Sequence, residues 1–191
     1  MKKFPELENL IKIFKILDEL NIAYYVTGGF AVSVFGHPRF TADVDIVIKM
    51  QETDAKVFSL KIKNVFPQGY IDIDLIKHAL IHKSEFNMID PESGLKIDFF
   101  ITKLDEFEKS AFNRIIKKDI DYEVAFISPE DLIISKLLWF REGQSTRQLE
   151  DIITVIQVQK NLDKQYLAKW VSNLKLSDEW QKLQILLDKL A

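Results

Sequence analysis

Cysteine is absent from this 191-residue chain, the net charge is small, and long hydrophobic runs are lacking. Without cysteine the chain can form neither a disulfide nor a thiolate zinc site, which fits a reducing compartment. The net charge is only −3 at pH 7, so the composition gives no general electrostatic indication of nucleic-acid binding. This composition does not exclude a local basic patch. Charges such as Glu8 and Lys12 interrupt the N-terminal apolar residues, and no run approaches membrane-spanning length. We therefore expect a cytoplasmic protein with no membrane partner.

Hydrophobic residues make up 47% of the chain, which is enough to bury one sizeable core. We expect one domain, or one domain with a helical appendage. Apolar spacing predicts a helix from Pro5 to about Asn21, and AYYVTGGFAVSVFG predicts a strand, a glycine turn and a short helix starting near Phe30. The last third is predicted to be helical, with these expected caps: Ser128, Ser145 together with Gln148, Asn161 and Ser177.

Two aspartates interrupt the apolar stretch RFTADVDIVI, which otherwise has the pattern of a strand. Asp is disfavoured in strands, and Asp43 and Asp45 occupy alternate positions, so their charges point to one face and repel each other. Three explanations stay open at this point: a frayed strand end, a solvated sheet face, or a divalent cation held between the carboxylates.

Further acids follow in two different settings. Asp72 and Asp74 in IDIDLIKHALIHK precede a helical apolar pattern, where an acid caps the helix and favours its dipole. By contrast, FNMID, PESG and LKIDFFI predict a hairpin whose second strand carries Asp98 on the face opposite Leu95 and Ile97. Asp98 is therefore a third acid within a strand.

A glycine turn before a helix and carboxylates on strands are together the components of phosphate chemistry with bound magnesium. Mg²⁺ prefers oxygen ligands, and it usually takes one or two protein carboxylates together with substrate phosphates. The turn at Gly28 and Gly29 lets backbone N–H groups approach a phosphate at the positive end of the following helix. Either pattern alone is weak, but their order along the chain is informative.

TGGFAVSVFG, then HPRFTADVDIVI, then KIDFF further along resembles the signature of the nucleotidyltransferase superfamily: a glycine pair, D-x-D and a distant third acid. The match extends through SPEDLIISKLLWF and STRQLEDI, covers about Tyr24 to Ile156, and points to small bacterial nucleotidyltransferases similar to the AbiEii toxin group. The resemblance implies an α/β (α+β) fold with a nucleotidyltransferase-type mixed sheet flanked by helices. We expect this core in residues 1–127 and a C-terminal helical bundle in residues 128–191.

By that resemblance, Asp43, Asp45 and Asp98 are the catalytic and metal-binding residues, and Asp98 is a candidate to accept the proton of the attacking hydroxyl. Gly28 and Gly29 would bind nucleotide phosphates. Many superfamily members have Gly-Ser at this position, so a serine hydroxyl contact to phosphate is missing from this chain.

The resemblance also implies nucleotide-binding roles for Arg39, Thr41, Lys136 and Asp151. Arg39 and Thr41 match R-x-T before the acids, but they could instead fix the strand entry, or Arg39 could pair with Asp43. Lys136 lies in the middle of the apolar face of its helix, where it is either a triphosphate ligand or a lysine extending along a packing surface. Asp151 either has a supporting or proton-accepting role in catalysis or forms a structural ion pair with Lys136 or Arg147.

The predicted function is metal-dependent transfer of a nucleoside monophosphate from a nucleoside triphosphate such as ATP to an acceptor hydroxyl, with release of pyrophosphate. Mg²⁺ or Mn²⁺ is the expected cofactor. The acceptor is either RNA or a small hydroxylated molecule, and an antitoxin protein is a candidate partner. The alternative is a non-catalytic component of a toxin–antitoxin-like system that keeps the fold to bind a nucleotide or a partner.

Overall fold

The computed structural model describes residues 5–190, which fold around a six-stranded mixed sheet. The strands are β1 (Ala23–Thr27), β2 (Asp43–Lys49), β3 (Glu85–Asp90), β4 (Leu95–Ile101), β5 (Ile116–Asp119) and β6 (Glu123–Phe126). The helices of these residues are α1 (Pro5–Glu19), α2 (Gly28–Phe35), α3 (Ala55–Val65), α4 (Ile73–His82), α5 (Glu106–Asn113), α6 (Pro129–Gly143), α7 (Thr146–Val158), α8 (Lys164–Asn173) and α9 (Ser177–Asp188). None of these helices is both long and apolar enough to cross a membrane.

The sheet order is β3-β4-β2-β1-β6-β5, so strands distant in sequence are neighbours. β2 pairs antiparallel with β1 and parallel with β4, and this second pairing sets Asp45 opposite Asp98. The predicted strand faces are confirmed: buried and partly exposed residues alternate along β2, and the same alternation continues along β4. The acids of both strands therefore share one face of the sheet.

Different helices cover the two sheet faces. On the apolar face, Phe58 of α3 packs edge-on against Phe99 of β4 at 5.4 Å between ring centroids, and Phe14 of α1 stacks on Tyr24 of β1. On the acid-bearing face, Trp139 of α6 lies 6.5 Å from the ring of Phe100. The α6 and α7 helices pack on each other and on α2. The carboxylates consequently face the α6–α7 side of the molecule.

Several predicted helix starts are confirmed, and some predicted caps are wrong. Ser128 caps α6 by accepting from the Asp131 N–H, as predicted. The Ser145 side chain forms no capping hydrogen bond at α7, so the expected capping box is absent. Asp163 caps α8 in place of Asn161, because its carboxylate accepts from the Tyr166 N–H. Ser177 is already the first residue of α9 and does not cap it.

A buried polar cluster joins the end of α5 to α6 and α8. Arg114 lies 3.2 Å from Glu130 and 3.7 Å from Asp131, and its guanidinium stacks 3.9 Å from the Tyr166 ring centroid. Asp131 is fully buried and also accepts hydrogen bonds from Ser128 and Tyr166. Since β6 ends at Phe126 and α6 begins at Pro129, these contacts anchor the first C-terminal helix. The division at residue 127 stays a prediction.

Candidate active site

The D-x-D motif lies at the start of β2, where the chain enters the sheet. Asp43 is the first residue of the strand, and Thr41 Oγ1 donates to Asp43 Oδ1 or to the Asp43 carbonyl, each at 3.1 Å. Asp45 follows on the same face, next to Asp98 in the parallel register. Thr41 thus fixes the strand entry and the first carboxylate together.

The glycine turn is fitted around Asp45. Gly28 has φ +64°, and a Cβ built on it would lie only 1.6 Å from Asp45 Oδ2, so glycine is required there for conformation and for space. The helix starts at Gly28 itself, two residues before the predicted start. The Gly29 backbone amide, which we expected to face a phosphate, hydrogen-bonds to the Asp45 carboxylate. The first contact of the turn is therefore with a catalytic candidate.

The surroundings of Asp45 disfavour the ionised form of its carboxylate. Burial, together with the negative charges of Asp43 and Asp98, raises its pKa from 3.8 to about 6. The Lys136 ammonium and the Gly29 N–H partly oppose this rise. A positive charge near the three carboxylates would lower their mutual repulsion.

Lys96 supplies one such charge, and sequence reasoning missed it. Its ammonium lies 2.6 Å from Asp98 Oδ2 and 3.9 Å from Asp43 Oδ2. The hydrogen bond to Asp98 raises the pKa of Lys96. The signal was present in the sequence, since Lys96 precedes Asp98 by two positions and a strand turns such residues to one face.

A buried ion cluster on the α6–α7 side faces the carboxylates. Lys136 is only 3% exposed, and its ammonium lies 2.8 Å from Asp151 Oδ2. Arg39 contacts both oxygens of the same carboxylate, with Nε 2.8 Å from Oδ1 and a terminal nitrogen 2.9 Å from Oδ2. Arg39 thus pairs with Asp151 and not with Asp43, and the Asp151 partners are Lys136 and Arg39.

The pKa values in this cluster follow from burial and pairing. Burial lowers the pKa of the Lys136 ammonium, although the hydrogen bond with Asp151 opposes the change. Burial alone would raise the pKa of Asp151, but the hydrogen bonds from Arg39 and Lys136 outweigh it and leave that pKa below its ordinary value. Asp151 is therefore an ionised anchor for two cations, and Lys136 does not simply extend along a packing surface.

Two of the three carboxylates, Asp43 and Asp45, line one cavity of about 380 Å³ together with the Asp151 cluster, whereas Asp98 is not among the lining residues. Asp43 and Asp45 lie on its β2 wall, and Lys136 lies on its α6 wall. Five further lining residues were not among the predicted site residues: Phe40, Ala42, Trp139, Arg147 and Gln148. Arg147 is exposed at the start of α7, and the Oε1 atom of Gln148 is buried without a hydrogen-bond partner. The cavity joins acids that suit a metal ion to cations that suit phosphates.

The sequence matches the profile of the family described as nucleotidyl transferase AbiEii toxin, type IV toxin–antitoxin system, over residues 15–182. The chain belongs to the AbiEii nucleotidyltransferase toxin family. Among curated protein sequences, none matches. Membership of this family identifies the chain as a nucleotidyltransferase.

Solved structures agree with the AbiEii-family fold. The antigenic nucleotidyltransferase-like protein from Paracoccidioides brasiliensis is similar at 21% identity and a TM-score of 0.52, covering 92% of this chain and 91% of its own. The lincomycin-bound lincosamide adenylyltransferase LnuA is similar at 15% identity and a TM-score of 0.54, covering 80% and 97%. The antibiotic-resistance factor ANT(2'')-Ia follows at 12% identity and 0.51, covering 95% and 94%. These likenesses confirm the predicted fold class.

The carboxylates of this AbiEii-family protein suit a magnesium or manganese ion in chemistry and charge. They offer oxygen ligands on one sheet face, and their repulsion shows in the raised pKa of Asp45. Within residues 5–190, however, no three His, Cys, Asp or Glu side chains are grouped to hold a metal ion. The Asp98 carboxylate is instead bound to Lys96. A metal ion bound by all three acids would compete with Lys96 for the Asp98 carboxylate.

Asp72 and Asp74 have the predicted structural role. Asp72 caps α4, and its Oδ1 accepts from the Asp74 N–H at 2.8 Å. Neither residue lines the cavity that holds Asp43 and Asp45.

Proposed function

We propose that this protein is a metal-dependent nucleotidyltransferase that moves a nucleoside monophosphate from a nucleoside triphosphate to an acceptor hydroxyl. The observation that carries the proposal is the single cavity with Asp43 and Asp45 on one wall and Lys136 and Arg39 on the other. An acid-rich wall and a cation-rich wall suit the two ends of one metal-bound triphosphate.

The cation-rich wall is the proposed site of the β- and γ-phosphates. Lys136 and Arg39 share Asp151, which holds both in place before substrate arrives, so little reorganisation accompanies binding. Arg147, an exposed lining residue of the same cavity, would contact the outer phosphate. Because the pKa of Asp151 is lowered, it is a poor proton acceptor at neutral pH, and we assign it a positioning role.

The acid-rich wall is the proposed site of the α-phosphate. Asp43, Asp45 and Asp98 would hold a divalent cation, which when bound neutralises phosphate charge and polarises the α-phosphate. Thr41 and the Gly29 N–H keep the first two carboxylates oriented. Asp98, released from Lys96, would accept the proton of the attacking hydroxyl, and the freed Lys96 ammonium would remain close to balance the charge.

The acceptor is RNA or a small hydroxylated molecule, and the family suggests a cognate antitoxin protein as a further partner. Structural neighbours include a lincomycin-bound lincosamide adenylyltransferase, and this likeness supports a small molecule as one of the two candidate acceptors. Nucleotide transfer itself can be tested without knowing the acceptor.

The test uses each nucleoside triphosphate labelled at the α-phosphorus, with Mg²⁺ or Mn²⁺ and a cell extract as the source of acceptors. We expect label in a product and release of pyrophosphate by the wild type, and loss of both in Asp45→Asn. Asp119→Asn, an exposed acid on β5, is the matched control and should keep full activity. Triphosphate binding without transfer by the wild type would instead favour a non-catalytic nucleotide-binding role.

A further inference from the structure

Four charged residues form a compact group on the acid-bearing face of the sheet. The parallel register of β2 and β4 sets Lys96 beside Asp43, and it sets Asp98 beside Asp45. The Lys96 ammonium donates a hydrogen bond to Asp98 Oδ2 at 2.6 Å and lies 3.9 Å from Asp43 Oδ2. One lysine thus approaches two of the three carboxylates that are the candidate metal ligands.

Lys96 differs from the other lysine near these carboxylates in how firmly it is held. The Lys136 side chain is 4% exposed, and its ammonium is paired with Asp151, outside the group of three acids. The Lys96 side chain is 39% exposed, and among the described residues its ion-pair partners are Asp98 and Asp43. An ion pair with a partly exposed lysine contributes little net stability, because water and salt screen it and the long side chain is flexible. Lys96 is therefore the more replaceable of the two cations.

Asp98, by contrast, needs a cation beside it. Its side chain is only 18% exposed, and its neighbour in the β2–β4 register is a second carboxylate, Asp45. Like charges opposite each other on adjacent strands repel, and a low local dielectric strengthens the repulsion. Within residues 5–190, Lys96 is the one cation that forms an ion pair with Asp98 or Asp43. Any cation that replaces Lys96 must therefore take over this neutralisation.

A divalent cation and the Lys96 ammonium are attracted to the same carboxylates. Mg²⁺ and Mn²⁺ prefer carboxylate oxygens as protein ligands. An ion held by Asp98 and Asp43 would lie close to the ammonium even if it used the second oxygen of Asp98, and the two positive charges would repel each other. Three carboxylates and one ammonium leave two net negative charges in this group, and without the lysine there would be three. The lysine therefore weakens the attraction of the site for a divalent cation.

We propose, on the basis of the proposed metal-dependent transfer, that Lys96 determines how tightly this site binds its divalent cation. Lys96 holds the Asp98 and Asp43 carboxylates together and competes with the metal ion for them. It is a positioning residue, since it acts through the carboxylates and not on the reacting atoms. A site that binds the free ion weakly is loaded together with the triphosphate, because the phosphates add oxygen ligands to the metal ion.

The test measures Mn²⁺ binding to the protein without nucleotide, from the electron paramagnetic resonance signal of the free ion. Lys96→Met removes the charge and keeps an apolar stem, and we expect it to bind Mn²⁺ about tenfold more tightly than wild type, which corresponds to about 1.4 kcal/mol. Lys96→Gln, which also lacks the charge, should behave in the same way. Lys96→Arg keeps the charge and should bind Mn²⁺ no more tightly than wild type.

Thermal unfolding gives a second readout, and a matched lysine gives the control. In a chelator, Lys96→Met should have a lower Tm than wild type, because nothing then opposes the repulsion between the carboxylates. Mn²⁺ should raise the Tm of this variant more than that of wild type, since it binds more tightly. The control is Lys117→Met, which removes a lysine 2.6 Å from Glu123 on the β5–β6 edge of the sheet. This variant should keep the wild-type Mn²⁺ affinity.

Several outcomes would overturn the proposal. Mn²⁺ affinity in Lys96→Met equal to or weaker than that of wild type would do so, and a loss of Tm that Mn²⁺ does not reduce would show that the lysine is only structural. Asp45→Asn separates this inference from the proposed metal site. If Asp45→Asn loses Mn²⁺ binding while Lys96→Met binds like wild type, this inference alone fails. If Asp45→Asn binds Mn²⁺ as tightly as wild type, or if neither wild type nor Lys96→Met binds the ion, the proposed metal site fails and this inference fails with it.

Discussion

Asp151 is predicted to contribute more to stability than the lysine it pairs with, because it holds two cations and would keep Arg39 as a partner if Lys136 were removed. In Asp151→Asn, Lys136 would remain buried without a carboxylate, since its side chain is 4% exposed. The Arg39 side chain is 25% exposed and would recover part of its hydration. In Lys136→Met, by contrast, Asp151 keeps both hydrogen bonds from Arg39.

The magnitudes follow from these differences. Removing one partner of a buried ion pair typically costs about 3–5 kcal/mol. We expect Asp151→Asn near the lower end, about 3 kcal/mol, because Arg39 is partly exposed and Lys136 can release its proton. Lys136→Met should change stability by about 1 kcal/mol or less, since the apolar stem is replaced by a similar one. For a chain of this size, about 3 kcal/mol corresponds to a Tm lower by about 6–12 °C.

The assay is thermal and urea unfolding of the two single variants, their double variant and the control Asp119→Asn. The double variant should be more stable than Asp151→Asn alone, because no unpaired lysine remains. In Asp151→Asn the folded-state pKa of Lys136 falls further below its unfolded value. The resulting penalty is full below the folded pKa and is lost as pH rises towards the unfolded value near 10, so this variant should regain stability at alkaline pH. Equal stability losses in both single variants, or no pH-dependent recovery, would refute this reasoning.

Two further predictions concern the carboxylate wall. The pKa of Asp45 is about 6 in the folded protein and 3.8 in the reference state, so ionised Asp45 should destabilise the fold progressively from about pH 4 to pH 6. Asp45→Asn should therefore raise the free energy of unfolding above pH 6 by at most about 3 kcal/mol. Urea unfolding from pH 4 to 8 measures this difference, and a variant that is less stable than wild type at pH 7 would contradict it. Gly28→Ala should displace the Asp45 carboxylate and strain a residue at φ +64°, so nucleotide transfer should fall sharply. The control is Gly94→Ala, at φ +72°, where no atom lies within 4 Å of the added Cβ. This variant should be strained without loss of transfer. Equal transfer activity in the two glycine variants would rule out the steric argument.

Local patterns in the sequence determined the strands that carry the acids and many of the helices. The alternation in β2 and β4 is a property of neighbouring residues, so the shared face of Asp43 and Asp45 could be read directly. Likewise, the predicted capping role of Asp72 depends on backbone groups two residues away and is confirmed. The caps at Asn161 and Ser177 were wrong because each helix begins at another residue than the prediction assumed. Asp163 directly precedes α8 and accepts from the Tyr166 N–H, and Ser177 is already inside the first turn of α9.

The pairings of the candidate site were decided by tertiary structure. Arg39 and Asp151 are 112 positions apart, and no local pattern distinguishes this pair from Arg39 with Asp43. The closing of α7 onto α2 brings them together, and burial then makes a two-cation cluster around one carboxylate favourable. The approach of Asp98 to Asp45 similarly depends on the β2–β4 register, because hydrogen bonding between distant strands sets it. Local backbone geometry determines which charged residues near in sequence share a face, whereas the ion pairs between distant residues form only when the core packs and brings them together.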